Sequence, residues 1–222
     1  MGIRCVLLDV DGTLVDSNDA HAHAWVDAFR EAGFEVPFER VRRLVGMGGD
    51  KLIPAATGLA DGDRRGKALA ERRGEIFRRR YLKEVAPFPR VREMVDRLRE
   101  GERRVGVASS AQDEELRPLL EIAGVEDLLH ATTSSSDAER SKPDPDIVAA
   151  ALRRLGCTAG EALLIGDTPY DVEAAGRAAV RSVAFRSGGW PDAELRGAVA
   201  VYDGAADLLD RWDTSPLAGG AP

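Results

Sequence analysis

The 222-residue sequence predicts an α/β fold: a doubly wound, mostly parallel, Rossmann-like sheet with an inserted helical cap subdomain. Three observations carry this. Five short runs, "CVLLDV", "RVGVASS", "ALLIGD", "RSVAF" and "AVAVY", are apolar without polar alternation, as strands covered on both faces are. Helical patterns at 89–100, 113–123, 145–155, 169–178 and 204–212 lie between or after them. Residues 16–85, directly after the first run, hold helical patterns alone and are far too long for a strand-to-helix connection.

In chain order, "RCVLLDVDGTLVDS" at 4–17 reads as the first strand and the turn that ends it. Helical stretches near 18–33, 38–45, 50–58 and 64–83 follow, punctuated by "AGFEVP", "GMGG" and "ATGLADGD". The division is therefore a core at 1–15 and 86–212 with a cap at 16–85, rejoined near "PFPRV". "KPDPD" at 142–146 reads as a helix entry with Asp144 as N-cap and Pro145 first in the helix. The tail "DTSPLAGGAP" at 213–222 is small, turn-forming and expected to be disordered.

Polar residues fall where the strands end. Asp9 closes the first run, Ser109 closes "VGVAS" and Asp167 closes "LLIG", and the carboxyl edge of such a sheet is where ligands bind. Lys142, just before a helix, reaches the same edge. Asp9, Asp11, Asp167 and Asp171 would crowd negative charge there, which a divalent cation resolves; oxygen ligands without Cys or His favour Mg²⁺. One lysine, one cation, a serine hydroxyl and the amides after the first strand then seat a phosphoryl group. Gly12 permits the sharp turn, and Thr13 satisfies loop groups. Two carboxylates offset by one residue can divide the labour, one attacking phosphorus and the other moving protons.

Composition narrows the alternatives. With 44% hydrophobic but only 5% aromatic residues, the chain fills a core with Val, Leu, Ile and Ala. A formal charge of −7 argues against nucleic acid as a partner. "RRGEIFRRR" at 72–80 reads as the wet face of a helix. No apolar stretch approaches the ~20 residues of a membrane span, and "MGIRCVLLD" carries no secretion signal. Cys5 and Cys157 read as reduced core or near-core thiols, so a cytoplasmic protein is expected.

"DVDGT" (9–13), "VASS" (107–110), "SKPDPD" (141–146) and "GDTPYD" (166–171) together resemble the haloacid dehalogenase superfamily, in its branch with a helical cap after the first strand. That branch includes phosphoglycolate phosphatases and β-phosphoglucomutases. The resemblance implies Asp9 as the nucleophile that forms an aspartyl-phosphate, and Asp11 as acid and then base with its carbonyl on Mg²⁺. It implies Ser109 and Lys142 on the phosphoryl oxygens, Asp167 beside Asp9 on the metal, and Asp171 orienting from behind. Gly12, Ser110, Gly48 and Lys51 are the expected substrate contacts, with Arg42, Arg43 and "RSGGWP" at 186–191 as further candidates. His21 and Trp25 share a helix face as in the mutases, though such a pair is more often packing. Gly49 stands where a mutase carries an arginine, and Arg73 is the remaining candidate to compensate. The expectation is an Mg²⁺-dependent phosphatase for a small phosphorylated metabolite, monomeric or a small homo-oligomer. An intramolecular hexose-phosphate mutase is the second reading, and a receiver-like or partner-binding domain the non-enzymatic one.

Overall fold

The computed structural model describes residues 2–60 and 62–218. β1 (Cys5–Leu8) is fully buried and feeds two cores, Val6 and Leu8 on one face and Cys5 and Leu7 on the other. A tight turn leads to the two-residue β2 (Val15–Asp16) and then to four helices. These are α1 (Asn18–Glu31), α2 (Phe38–Arg42), α3 (Gly49–Thr57) and α4 (Arg64–Ile76). The last continues through a π-helical turn at Phe77–Tyr81 and a 3₁₀ turn at Leu82–Glu84. β3 (Ala86–Pro87) pairs antiparallel with β2, Val15 opposite Pro87, so the chain leaves and re-enters the sheet layer through one neck.

Strand and helix then alternate: α5 (Val91–Arg99), β4 (Arg104–Ala108), α6 (Asp113–Ala123), β5 (Ala131–Thr133) and α7 (Asp146–Leu155). β6 (Ala162–Gly166), α8 (Pro169–Arg177), β7 (Arg181–Phe185), β8 (Ala200–Tyr202) and α9 (Ala205–Asp210) complete the chain. Six strands form one parallel sheet in the order β5-β4-β1-β6-β7-β8. The chain winds outward from β1 in one direction through β4 and β5, then in the other through β6 to β8. β1 is thus the switch point of a doubly wound sheet, where a crevice opens at the carboxyl ends. α5, α6 and α9 cover the face of Val6 and Leu8, while α7 and α8 cover that of Cys5 and Leu7. Trp25, Phe29, Ile53 and Phe77 from the helical stretch join the first of these cores, so that stretch packs on the same apolar mass. Among the described residues no helix is long and apolar enough to cross a membrane.

Beyond the short β2 and β3, which the sequence reading did not give, four features depart from it. β5 is an additional strand, short and half-exposed at the sheet edge, with too little apolar signal to register. α7 begins at Asp146 with Pro145 as its N-cap residue, so Asp144 does not cap it; its carboxylate pairs with Lys51 and Arg177 instead. Cys5 and Cys157 are joined in a disulfide rather than reduced. The start of β1 and the loop after α7 lie side by side, with the two Cα atoms 6.5 Å apart, inside the range a disulfide spans. The tail does not stay loose over its described part, because a 3₁₀ turn at Trp212–Thr214 leads Leu217 into the core. Residues 219–222 lie outside the described residues.

Candidate active site

Two strands and a helix deliver carboxylates to the switch point. Asp9 follows β1 directly, and its amide donates to Ile165 O of β6 at 2.9 Å, which fixes it to the neighbouring strand. Asp167 follows β6, and Asp171 sits in the first turn of α8. One ligand oxygen from each of the three lies within 4.8 Å of the others, all three residues being buried. Lys142 is 1% exposed and lays its Nζ 2.5 Å from Asp9 Oδ1 and 2.7 Å from Asp171 Oδ1.

Each carboxylate is held differently. Asp171 Oδ2 accepts from Thr168 N and Oγ1 at 3.1 and 2.6 Å in a capping box that starts α8. Asp167 accepts from Asn18 Nδ2 at 2.9 Å and Thr13 Oγ1 at 3.3 Å. Burial pushes the Asp9 carboxyl up to about 8, against the pull of Lys142 and with added repulsion from Asp171 and Asp11. Burial, with Asp9 and Asp171 nearby, likewise drives Asp167 well above the carboxylate range. Three carboxylates against one ammonium leave excess negative charge, and an all-oxygen set of this kind could hold a hard divalent cation.

Asp11 points away from this cluster. His21 Nε2 lies 2.8 Å from its Oδ1, and Ser17 Oγ donates to the same atom. Burial alone would raise its carboxyl, but His21 and Ser17 outweigh it and hold it below its ordinary value. The two aspartates of "DVDGT" therefore occupy opposite electrostatic settings. Gly12 follows Asp11 with φ +76°, and a Cβ there would stand 2.1 Å from Asp167 Oδ2. Its amide is spent on Val15 O at 2.8 Å, so Gly12 contributes an absent side chain rather than the substrate contact the sequence reading gave it.

Above Asp9 a chamber of about 50 Å³ is also lined by Asp11, His21, Trp25, Gly48 and Ser110. Ser109 is buried under it, its Oγ accepting from Ala111 N at 3.1 Å, while the Ser110 hydroxyl is buried without a partner. Gly48 closes on the sheet layer, its amide donating to Ser141 Oγ at 3.1 Å, and a Cβ would meet Ser141 at 2.4 Å.

Lys51 is not brought to the chamber; its Nζ lies 2.9 Å from Asp144, which Arg177 also pairs. Arg42 and Arg43 also point elsewhere, to Asp19 and Gly188 O and to Glu194 and the Trp190 ring. From the 186–191 loop, Ser187 Oγ donates to Gly12 O at 2.6 Å, so that segment braces the turn. Sequence reasoning gave no role to Asn18, Ser17 or Glu115. Asn18 and Ser17 follow a turn and read as a helix start. Glu115, 1% exposed, lies in the acidic first turn of α6 and reads as a wet face, yet it accepts from Arg73 at 2.6 Å. Within its basic run Arg73 turns inward, over the Trp25 ring, and Arg78 also reaches Glu115 at 3.9 Å, while Arg72 and Arg80 pair with carboxylates at the surface.

A family model described as haloacid dehalogenase-like hydrolase matches residues 6–185. A phosphoglycolate phosphatase of Rhodospirillum rubrum is 32% identical over 228 residues, covering 98% of this chain and 93% of that protein. The protein SUPPRESSOR OF QUENCHING 1, chloroplastic, of Arabidopsis thaliana is 33% identical over 193 residues, 83% of this chain but only 18% of that protein. The solved structure of a hydrolase from Pseudomonas syringae superposes with a TM-score of 0.86 at 28% identity, over 95% of this chain and 98% of that one. The chain belongs to the haloacid dehalogenase-like hydrolases, and it is a hydrolase of the phosphatase kind.

Proposed function

We propose that this family member is an Mg²⁺-dependent phosphatase that hydrolyses a small phosphomonoester through a phosphoryl group carried on Asp9. The observation that carries the reading is the Lys142 ammonium 2.5 Å from Asp9 and 2.7 Å from Asp171, with Asp167 completing the carboxylate cluster.

Asp9 and Asp167, with the Asp11 backbone carbonyl, would hold the metal. When bound, Mg²⁺ supplies the positive charge that favours ionised Asp9 and neutralises phosphoryl oxygens. Asp9 attacks phosphorus, and the bond from phosphorus to the leaving oxygen breaks. Asp11, as general acid, gives a proton to that oxygen. Asp11 then takes a proton from water as the water oxygen attacks phosphorus, the Asp9–phosphorus bond breaks, and inorganic phosphate leaves. Lys142 and Ser109 hold the phosphoryl oxygens, and Ser110 faces the ester. Asp171 is spent on Lys142 and Thr168, which suits it to orienting rather than ligating.

Residues 16–85 act in this reading as a cap that swings about the β2–β3 neck, with Gly48 closing over the ester. Hydrolysis is favoured over mutase chemistry by what stands near the ester. Gly49 lies against Trp25 without a cation, and Arg73 is tied to Glu115 rather than free for a second phosphate. A cytoplasmic location is kept in this reading because small phosphorylated metabolites are retained there as membrane-impermeant ions, although the Cys5–Cys157 disulfide removes the reduced-thiol argument for it. Release of phosphate from p-nitrophenyl phosphate with Mg²⁺, and its loss in EDTA, tests the proposal; no release with either would overturn it.

A further inference from the structure

Both cysteines of the chain are in one bond, Cys5 to Cys157. A 222-residue chain with apolar cores on both faces of its sheet has no need of a disulfide to fold, unlike the small domains that depend on them. The position of the bond says more. Cys5 opens β1, and Cys157 lies two residues beyond α7, which packs Ile147, Val148 and Ala151 into the core that holds Cys5. β1 runs on from Cys5 to Asp9, and the segment that enters α7 carries Lys142. The two elements are therefore joined twice: by sulfur at the amino edge of the sheet, and by the 2.5 Å Lys142–Asp9 contact at the carboxyl edge.

The two sulfurs differ in access. Cys5 is fully buried, whereas Cys157 is half-buried and lines a surface basin of about 600 Å³. A thiolate can reach Cys157 through that basin. Both positions also accommodate a thiol. Cys5 sits among apolar neighbours such as Leu7 and Leu164, and Cys157 Sγ has Leu155 O 3.7 Å away as an acceptor.

We propose that Cys5 and Cys157 form a redox-reversible tie, opened by a dithiol reductant, and that opening it loosens α7 and lowers activity by displacing Lys142 from Asp9. One thiolate of the reductant attacks Cys157 Sγ, the Cys5–Cys157 bond breaks, and Cys5 leaves as a thiolate that takes a proton. The second thiolate attacks the reductant's own sulfur in the mixed disulfide, and Cys157 leaves and takes the other proton. The dithiol is oxidised to a disulfide and the protein gains two thiols. In a cytoplasm, disulfides are mostly of this transient or redox-sensing kind. That location, and turnover as a readout, rest on the phosphatase reading above; the bond does not.

The test treats the full chain with reduced or oxidised dithiothreitol. It reads free thiols after a denaturing quench, the melting temperature, and kcat/KM for p-nitrophenyl phosphate with Mg²⁺. The oxidised chain is expected to show no free thiol and the reduced chain two. Reduction should lower the melting temperature by about 5–15 °C and kcat/KM by about threefold or more, and reoxidation should restore both. Cys157→Ser should hold the reduced values under either treatment; should it not fold, the two states of the natural chain decide. A bond that resists the dithiol in the folded chain, or a kcat/KM equal in the two states, overturns the proposal, as does a Cys157→Ser that matches the oxidised chain. No turnover in either state overturns the phosphatase reading instead, and the thiol count with the melting shift then decides whether the tie opens.

Discussion

The floor of the site and its roof are built on different physical terms. The floor is Asp9, Asp167, Asp171 and Lys142, set at the ends of fully buried strands and the start of a helix, with several carboxylates sharing one ammonium. The roof is His21, Trp25, Gly48 and Arg73, held by side-chain pairs and ring contacts between helices. Charge is concentrated at one point below and is spread over several contacts above. On this account the floor does the chemistry and the roof selects what reaches it, so substitutions below should act on kcat and those above on KM and selectivity.

The sharpest way to break that division is Asp9→Asn. It removes the nucleophile and nothing from the core packing, so turnover should vanish while the melting temperature stays close to that of the natural chain. Asp11→Asn, one step less severe, should lower kcat by about 10²–10⁴-fold, the usual worth of a general acid–base. A kcat loss below tenfold would move Asp11 from the chemistry to the roof.

Lys142→Met probes the floor through stability. It leaves Asp9 and Asp171 buried without their cation, which should cost about 3–5 kcal/mol in denaturant unfolding. The carboxylates add a pH signature. The folded chain holds protons on Asp9 up to about 8 and on Asp167 well above 3.8, whereas the unfolded chain releases them near 3.8. Metal-free stability should therefore fall as pH rises from about 4 toward 8, and Mg²⁺ should restore more of it at pH 8 than at pH 5. A melting temperature in EDTA that is flat over this range would contradict the charge excess. The smallest effect belongs to the roof: Ser141→Ala removes the acceptor of the Gly48 amide and should cost about 1 kcal/mol, read as a several-fold rise in KM with kcat held.

The same division explains what the sequence made legible. Strands buried on both faces announce themselves as unbroken apolar runs, so β1, β4, β6 and β7 and the residues at their ends could be placed, Asp9 and Asp167 among them. β5 has three residues and an edge position, and β2 and β3 have two each, too few for any period. Glu115 was illegible because an acidic first turn is ordinary helix chemistry; only the fold shows Arg73 descending onto it from α4. Lys51 and Arg73 are both cations of the helical stretch, and nothing local says that one pairs outward with Asp144 and the other inward with Glu115. The Cys5–Cys157 bond joins residues 152 apart, a proximity set by how α7 returns across β1.

The covalent step on Asp9 is tested most directly by acid-quenching the enzyme during turnover with Mg²⁺ and mapping the phosphorylated peptide. One phosphoryl group is expected on the peptide that contains Asp9, and none in Asp9→Asn. Phosphoryl transfer to any other residue, or phosphate release at the natural rate by Asp9→Asn, would contradict it.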